Sequence, residues 1–173
     1  MDSSLSGTAS PAQNAAVTHL MIDDLDLFQM TQSEPHWGLA SAVATIVKHN
    51  GINVKEVDFA SRLRGSAIPT LESLSGIYKT TAGTEFSLSF VRIPSPTGVT
   101  LKRFLELHTP LLFRQQSHFY VLRGIDFIQT GTDDGIVTQL YLIDEGSVSA
   151  PQISRSPATV TDCDIFQIFV SEL

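Results

Sequence analysis

The chain has 173 residues, of which 42% are hydrophobic and 17% charged, as expected of one globular domain able to bury roughly 70% of its unfolded surface. Eleven Lys and Arg against eighteen Asp and Glu leave a formal charge of -7, and five acids precede the first base, Lys48. That surface repels phosphate backbones and anionic membranes, and residues 48–173 carry no basic stripe, so no nucleic-acid partner is expected.

The start, Met1-Asp2-Ser3-Ser4-Leu5-Ser6-Gly7, lacks the basic region and apolar core of a secretory leader, and no apolar run approaches the ~20 residues that cross a bilayer. A single cysteine, Cys163, cannot close an internal disulfide or build a Cys-based zinc cluster. The expectation is a soluble cytoplasmic chain without membrane insertion, cofactor or metal.

Positions 3–17 are rich in Ser, Ala, Gly, Thr and Asn, which bury too little apolar surface to offset their ordering entropy. Residues 1–18 therefore read as a flexible tail and 19–173 as one domain. Leu20, Ile22, Leu25, Leu27 and Phe28 follow as an extended lead-in, with Asp23, Asp24 and Asp26 as a solvated acidic edge. Ala40, Val43, Ala44 and Val47 then recur at the spacing of one helical face, and Asn50-Gly51 stops the run. Val54, Val57, Phe59 or Ala60, and Leu63 repeat the pattern before Gly65, and Thr70 can cap a third short helix bearing Leu71, Leu74 and Ile77.

Beyond the Gly83 turn, Phe86, Leu88 and Phe90 alternate with polar residues as in a half-buried strand, which Pro94-Ser95-Pro96 ends. Thr100 can cap a helix carrying Leu101, Phe104, Leu105 and Leu107. Strands are then predicted over 111–113, 118–125 and 140–143, the last two joined through the Asp133-Asp134-Gly135 turn, and a final one over 165–170. No internal repeat is present. Helices in the first half and strands in the second predict an α+β fold, an N-terminal helical half packed against a C-terminal antiparallel β-sheet.

Four features occur in a particular order: Gln32 ahead of a helix start, small residues through that helix, His118 opening a strand, and Asp144 ending the next. With Trp37-Gly38-Leu39-Ala40-Ser41, His49-Asn50-Gly51, Pro110-Leu111-Leu112, His118-Phe119-Tyr120-Val121-Leu122 and Leu142-Ile143-Asp144, this order spans residues 20–145. It resembles the papain-like cysteine peptidases, in particular the leader-cleaving peptidase domains of bacteriocin-exporting ABC transporters and bacterial papain-like proteases with a Trp-Cys-Trp-Ala-Ala run. The resemblance implies a papain-like fold with Gln32 as oxyanion donor, His118 as base and Asp144 as the group that orients it.

That chemistry needs a thiolate at a helix N-terminus beside an imidazolium. Depending on the register, the nucleophile position is His36, Trp37 or Gly38, and none carries a thiol or hydroxyl. Cys163 lies at the far end between Asp162 and Asp164, whose charges disfavour a thiolate, and reads as a structural thiol. Without its nucleophile a covalent mechanism keeps only residual catalysis.

Each residue also has a plain reading. Gln32 could be a loop residue bonded to backbone, His118 a half-buried histidine sharing a face with Tyr120 and Leu122, Asp144 a turn residue before Glu145-Gly146, and Trp37 a core aromatic. His36, His118 and Asp144 could make a two-His-one-carboxylate metal site only by converging, and no HxxxH or HExxH spacing supports one. The expected function is a catalytically inactive peptidase-like domain that binds a peptide or partner protein in the vestigial cleft between its helical and sheet halves. The alternatives are a cysteine peptidase or acyltransferase whose nucleophile at 36–38 has been replaced, and a structural or assembly protein unrelated to peptidases.

Overall fold

The computed structural model describes residues 16–30, 34, 37–63, 70–131, 135–145, 152–157 and 163–173. Among the described residues there are four α-helices, α1 (Gly38–His49), α2 (Glu56–Leu63), α3 (Leu71–Leu74) and α4 (Gly98–Glu106), and eight strands. The eight strands are β1 (Val17–Met21), β2 (Gly76–Lys79), β3 (Glu85–Ile93), β4 (Leu111–Gln115), β5 (His118–Gln129), β6 (Gly135–Ile143), β7 (Gln152–Arg155) and β8 (Cys163–Glu172). They form one antiparallel sheet in the order β2-β3-β8-β4-β5-β6-β7. One edge of β5 is shared: its first half pairs with β4 and its second half with β1. The α+β expectation is met, helices mostly preceding an antiparallel sheet.

Several boundaries differ from the sequence reading for local reasons. Val17 and Thr18, read as tail, pair with Ile128 and Phe127, so the domain begins at β1; residues 1–15 of that tail lie outside the described residues. The lead-in turns into a 3-10 helix at Asp23–Leu27 that buries Leu25. Ile77, read as helical, belongs to β2, because α3 ends at Ser75 and Gly76 adopts φ 135°. Helix α4 is capped by Thr97, not Thr100: the Thr97 hydroxyl accepts the Thr100 N–H at 3.2 Å. The Asp133-Asp134 turn lies mostly outside the described residues, but the strands flanking it do pair, Gln129 opposite Gly135.

Cross-strand partners share a face, and the register sorts the sheet into two. Phe113 opposes Tyr120 on one side and Ile165 on the other, and Leu122 opposes Leu142. This face meets α4, since Phe113, Leu140 and Ile165 line one cavity with Gly98 and Leu101. Arg114 opposes Phe119 and Asp164, and Leu112 opposes Val121 and Phe166. This second face meets α3, whose Leu71 and Glu72 share a cavity with Phe90, Arg114 and Phe166. Helix α2 joins the same face through Phe59, 5.1 Å from Tyr78, which stacks on Phe86 at 5.3 Å.

Helix α1 belongs with α2 and α3, packed on β4 and β5 and tied to α2 by a hydrogen bond from Ser41 to Glu56 at 2.6 Å. All nine residues from Leu39 to Val47 are buried. A helix buried all round has to be enclosed by its neighbours, and the small side chains of Ala40, Ala42 and Ala44 let them close in.

Strand β1 sits tightly on β5. A Cβ at Gly124 would meet the Leu20 carbonyl oxygen at 2.6 Å and the Met21 sulfur at 2.7 Å. Gly124→Ala is therefore expected to cost about 1–3 kcal/mol in urea unfolding and to speed exchange of the Ile22 N–H, which bonds the Arg123 carbonyl at 2.9 Å. Unchanged exchange at Ile22 would refute that account.

Candidate functional site

Of the residues singled out in the sequence, Gln32 and His36 lie outside the described residues. Trp37 and Gly38 open α1, Trp37 half-buried against the core with no side-chain cap on the helix. His118 is exposed, and its ring stacks on Tyr120 with centroids 5.7 Å apart. Tyr120 in turn contacts Phe113 edge-on at 6.0 Å. The His118 imidazole therefore lies on the α4 face of the sheet, while α1 lies on the other. His118 and the start of α1 do not share a face.

His118 stacks on Tyr120, and the charge of Asp144 is felt at the hydroxyl of the same tyrosine. Burial pushes the Tyr120 hydroxyl above its ordinary range, the Arg155 charge works against this, and Asp144 adds to it. Arg155 lies over the Tyr120 ring at 5.1 Å, donates to its hydroxyl at 3.2 Å and donates to Gln115 Oε1 at 2.8 Å. Gln115 stands opposite both His118 and Cys163 in the register. The row Cys163–Gln115–His118 thus crosses three strands, and Cys163 is exposed there, not buried as a structural thiol would be. Its thiol and the imidazole are two strand spacings apart, roughly 10 Å between backbones, with the ring committed to Tyr120.

A second His–Asp pair escaped the sequence reading. His19 Nδ1 lies 2.6 Å from Asp126, which also accepts the Tyr141 hydroxyl at 2.9 Å. Its role is visible in the register, where His19 and Asp126 are direct partners across β1 and β5. The acidic edge is also partly engaged: Asp26 pairs with the buried Arg123. Among the described residues no three His, Cys, Asp or Glu side chains gather as a metal site would require, and no helix is long and apolar enough to cross a membrane.

Two carboxylates are buried against α1. Glu56 accepts from Ser41, and Glu145, fully buried, accepts from the Thr45 hydroxyl at 2.8 Å, which itself accepts the Met30 N–H at 3.0 Å. Glu145 Oε2 has no hydrogen-bond partner among the described residues. Burial pushes the Glu145 carboxyl up to about 8, with Asp144 and Glu56 adding repulsion and the Thr45 hydrogen bond working the other way. No signal in the sequence marked it, because its desolvation is a product of the fold.

A cavity of about 580 Å³ opens on the helix-bearing face of the sheet, between α3 and strands β3, β8 and β4. Phe90 and Phe166 line it, together with Arg92, Arg114, Asp164 and Glu72. Asp164 Oδ1 accepts from Arg92 Nε at 2.7 Å and Nη2 at 2.6 Å, and Oδ2 accepts from Arg114 Nη2. The Arg114 hydrogen bond, against an opposing effect of burial and with help from the Arg92 hydrogen bond and both arginine charges, holds the Asp164 carboxyl below its ordinary value. The chain matches no family model, no curated protein and no solved structure.

The Glu145 carboxyl binds its proton more tightly folded than unfolded, so between its ordinary value and about 8 the native state holds more protons. Its contribution to stability is complete below pH ~4.5, falls as pH rises, and is gone above about 8. Glu145→Gln, which keeps an acceptor for Thr45, is expected to flatten this loss and to be more stable than the parent at pH 9 by a few kcal/mol, read from urea midpoints at pH 5 and 9. Parallel pH profiles for the two proteins would contradict the assignment.

Proposed function

We propose that the chain is a non-catalytic binding domain that takes a peptide or a partner protein in the cleft between its helical half and its sheet. The observation that carries this reading is the separation of His118 from α1 by the sheet: the imidazole stacks on Tyr120 on the α4 face. A base so placed does not act on a group at position 37 or 38, where α1 opens. Neither Trp37 nor Gly38 offers a nucleophile.

Papain-like ancestry is the finer form of the proposal. It is supported by the order of elements, a buried small-residue helix opening beside Trp37 and then an antiparallel sheet in which one strand opens at His118 and the next ends before Asp144. The opposite facing of His118 counts against a working peptidase of that type. The binding role itself is supported by the cavity between α3 and the sheet, whose volume suits a short peptide segment.

A second reading draws on the row Cys163–Gln115–His118, with Asp144 near Tyr120. There an exposed thiol would serve a hydrolase or acyltransferase on the α4 face. One experiment separates the two: the purified protein is incubated with a broad peptide mixture and, in parallel, alkylated with iodoacetamide. The binding reading expects no turnover and a Cys163 alkylation rate unchanged in His118→Ala. Turnover lost in Cys163→Ala, or alkylation slowed about tenfold or more by His118→Ala, would replace it with the second.

A further inference from the structure

We propose that the cavity between α3 and the sheet is a site for the C-terminal carboxylate of a peptide ending in an apolar residue, held by Arg92 and Arg114 over Phe90 and Phe166. This rests on the binding reading above and names its ligand.

The argument begins with an imbalance of donors and acceptors. Asp164 is one carboxylate facing two guanidiniums, and each of its oxygens is given to one of them. A guanidinium carries five N–H donors in a planar fork. Arg92 uses Nε and Nη2 on Asp164 and Arg114 uses Nη2, so Nη1 of both and Nε of Arg114 have no protein acceptor among the described residues. Asp164 thus anchors both side chains at the cavity and leaves donors over for a second carboxylate. The pairing fixes two long side chains in advance, which lowers the ordering cost of binding.

The rest of the lining selects among anions. Phe90 is half-buried and Phe166 buried, and the Arg114 guanidinium lies 5.6 Å from the Phe166 ring centroid. Apolar ligand surface can therefore lie next to the charge. Two carboxylates, Asp164 and Glu72, line the same cavity, so a dianionic phosphate meets more repulsion than a carboxylate of single charge. Thr70, Glu72 and Ser75 on the α3 side offer hydroxyl and carboxylate acceptors to the amide N–H groups of a peptide, which a fatty acid lacks. The volume exceeds the needs of a single amino acid and admits the last residues of a chain.

The full chain is titrated with two fluorescein-labelled hexapeptide pools that end in Leu or Phe, one with free C-terminal carboxylates and one with carboxamides, and polarisation is read. The free-carboxylate pool is expected to bind at least about tenfold more tightly than the carboxamide pool, and Arg92→Gln and Arg114→Gln each to weaken it about tenfold with unaltered circular dichroism. A third pool with an internal Glu and a C-terminal carboxamide tests side-chain carboxylates, and inorganic phosphate is added as competitor. Equal binding of the first two pools, indifference to both arginine substitutions, preference for the internal Glu, displacement by millimolar phosphate, or no binding by any pool overturns the proposal. Peptide binding indifferent to the arginines would sink this assignment alone, whereas cleavage of the peptides would sink the binding reading beneath it.

Discussion

A helix without an exposed face has to satisfy every hydroxyl it carries from within the protein. Helix α1 is buried from Leu39 to Val47, and Ser41 and Thr45 sit within that stretch with no exposed surface. Buried hydroxyls without partners cost free energy comparable to a lost hydrogen bond. Their partners are carboxylates from different elements, Glu56 at the start of α2 and Glu145 just beyond β6. Met30 completes the set by donating its N–H to Thr45. The polar needs of one helix thereby tie down the lead-in, the second helix and the end of the central hairpin.

This arrangement is costly for Glu145, whose second oxygen has no partner among the described residues and whose carboxyl is kept largely neutral near pH 7 by its surroundings. A neutral acid is the form that fits there, because an ionised one would face Glu56 and Asp144 in a poorly solvated space. Accessible arginines stand elsewhere, Arg92 and Arg114 around Asp164 and Arg155 over Tyr120.

The two faces of the sheet divide the chemistry. One face carries α1, α2 and α3 and the cavity with the paired arginines; the other carries α4, His118, Tyr120 and Cys163. Strand alternation makes the division inescapable, since residues one apart point to opposite sides. Arg114 and Gln115, neighbours in β4, consequently serve different surfaces.

Much of this was legible in the residues. The period of Ala40, Val43, Ala44 and Val47 marks α1, the alternation of Phe86, Leu88 and Phe90 marks β3, and the shared face of His118 and Tyr120 follows from their spacing. These are local regularities, written in adjacent turns and pleats. Strand β1 was missed because its alternation is weak and its partner lies more than a hundred positions away; β7 is only four residues long. The side of the sheet that α1 occupies, the protonation of Glu145, and the meeting of Arg92 and Arg114 at Asp164 depend on long-range pairing. Only the tertiary structure decided them, because desolvation and cross-strand proximity arise when distant segments exclude water together.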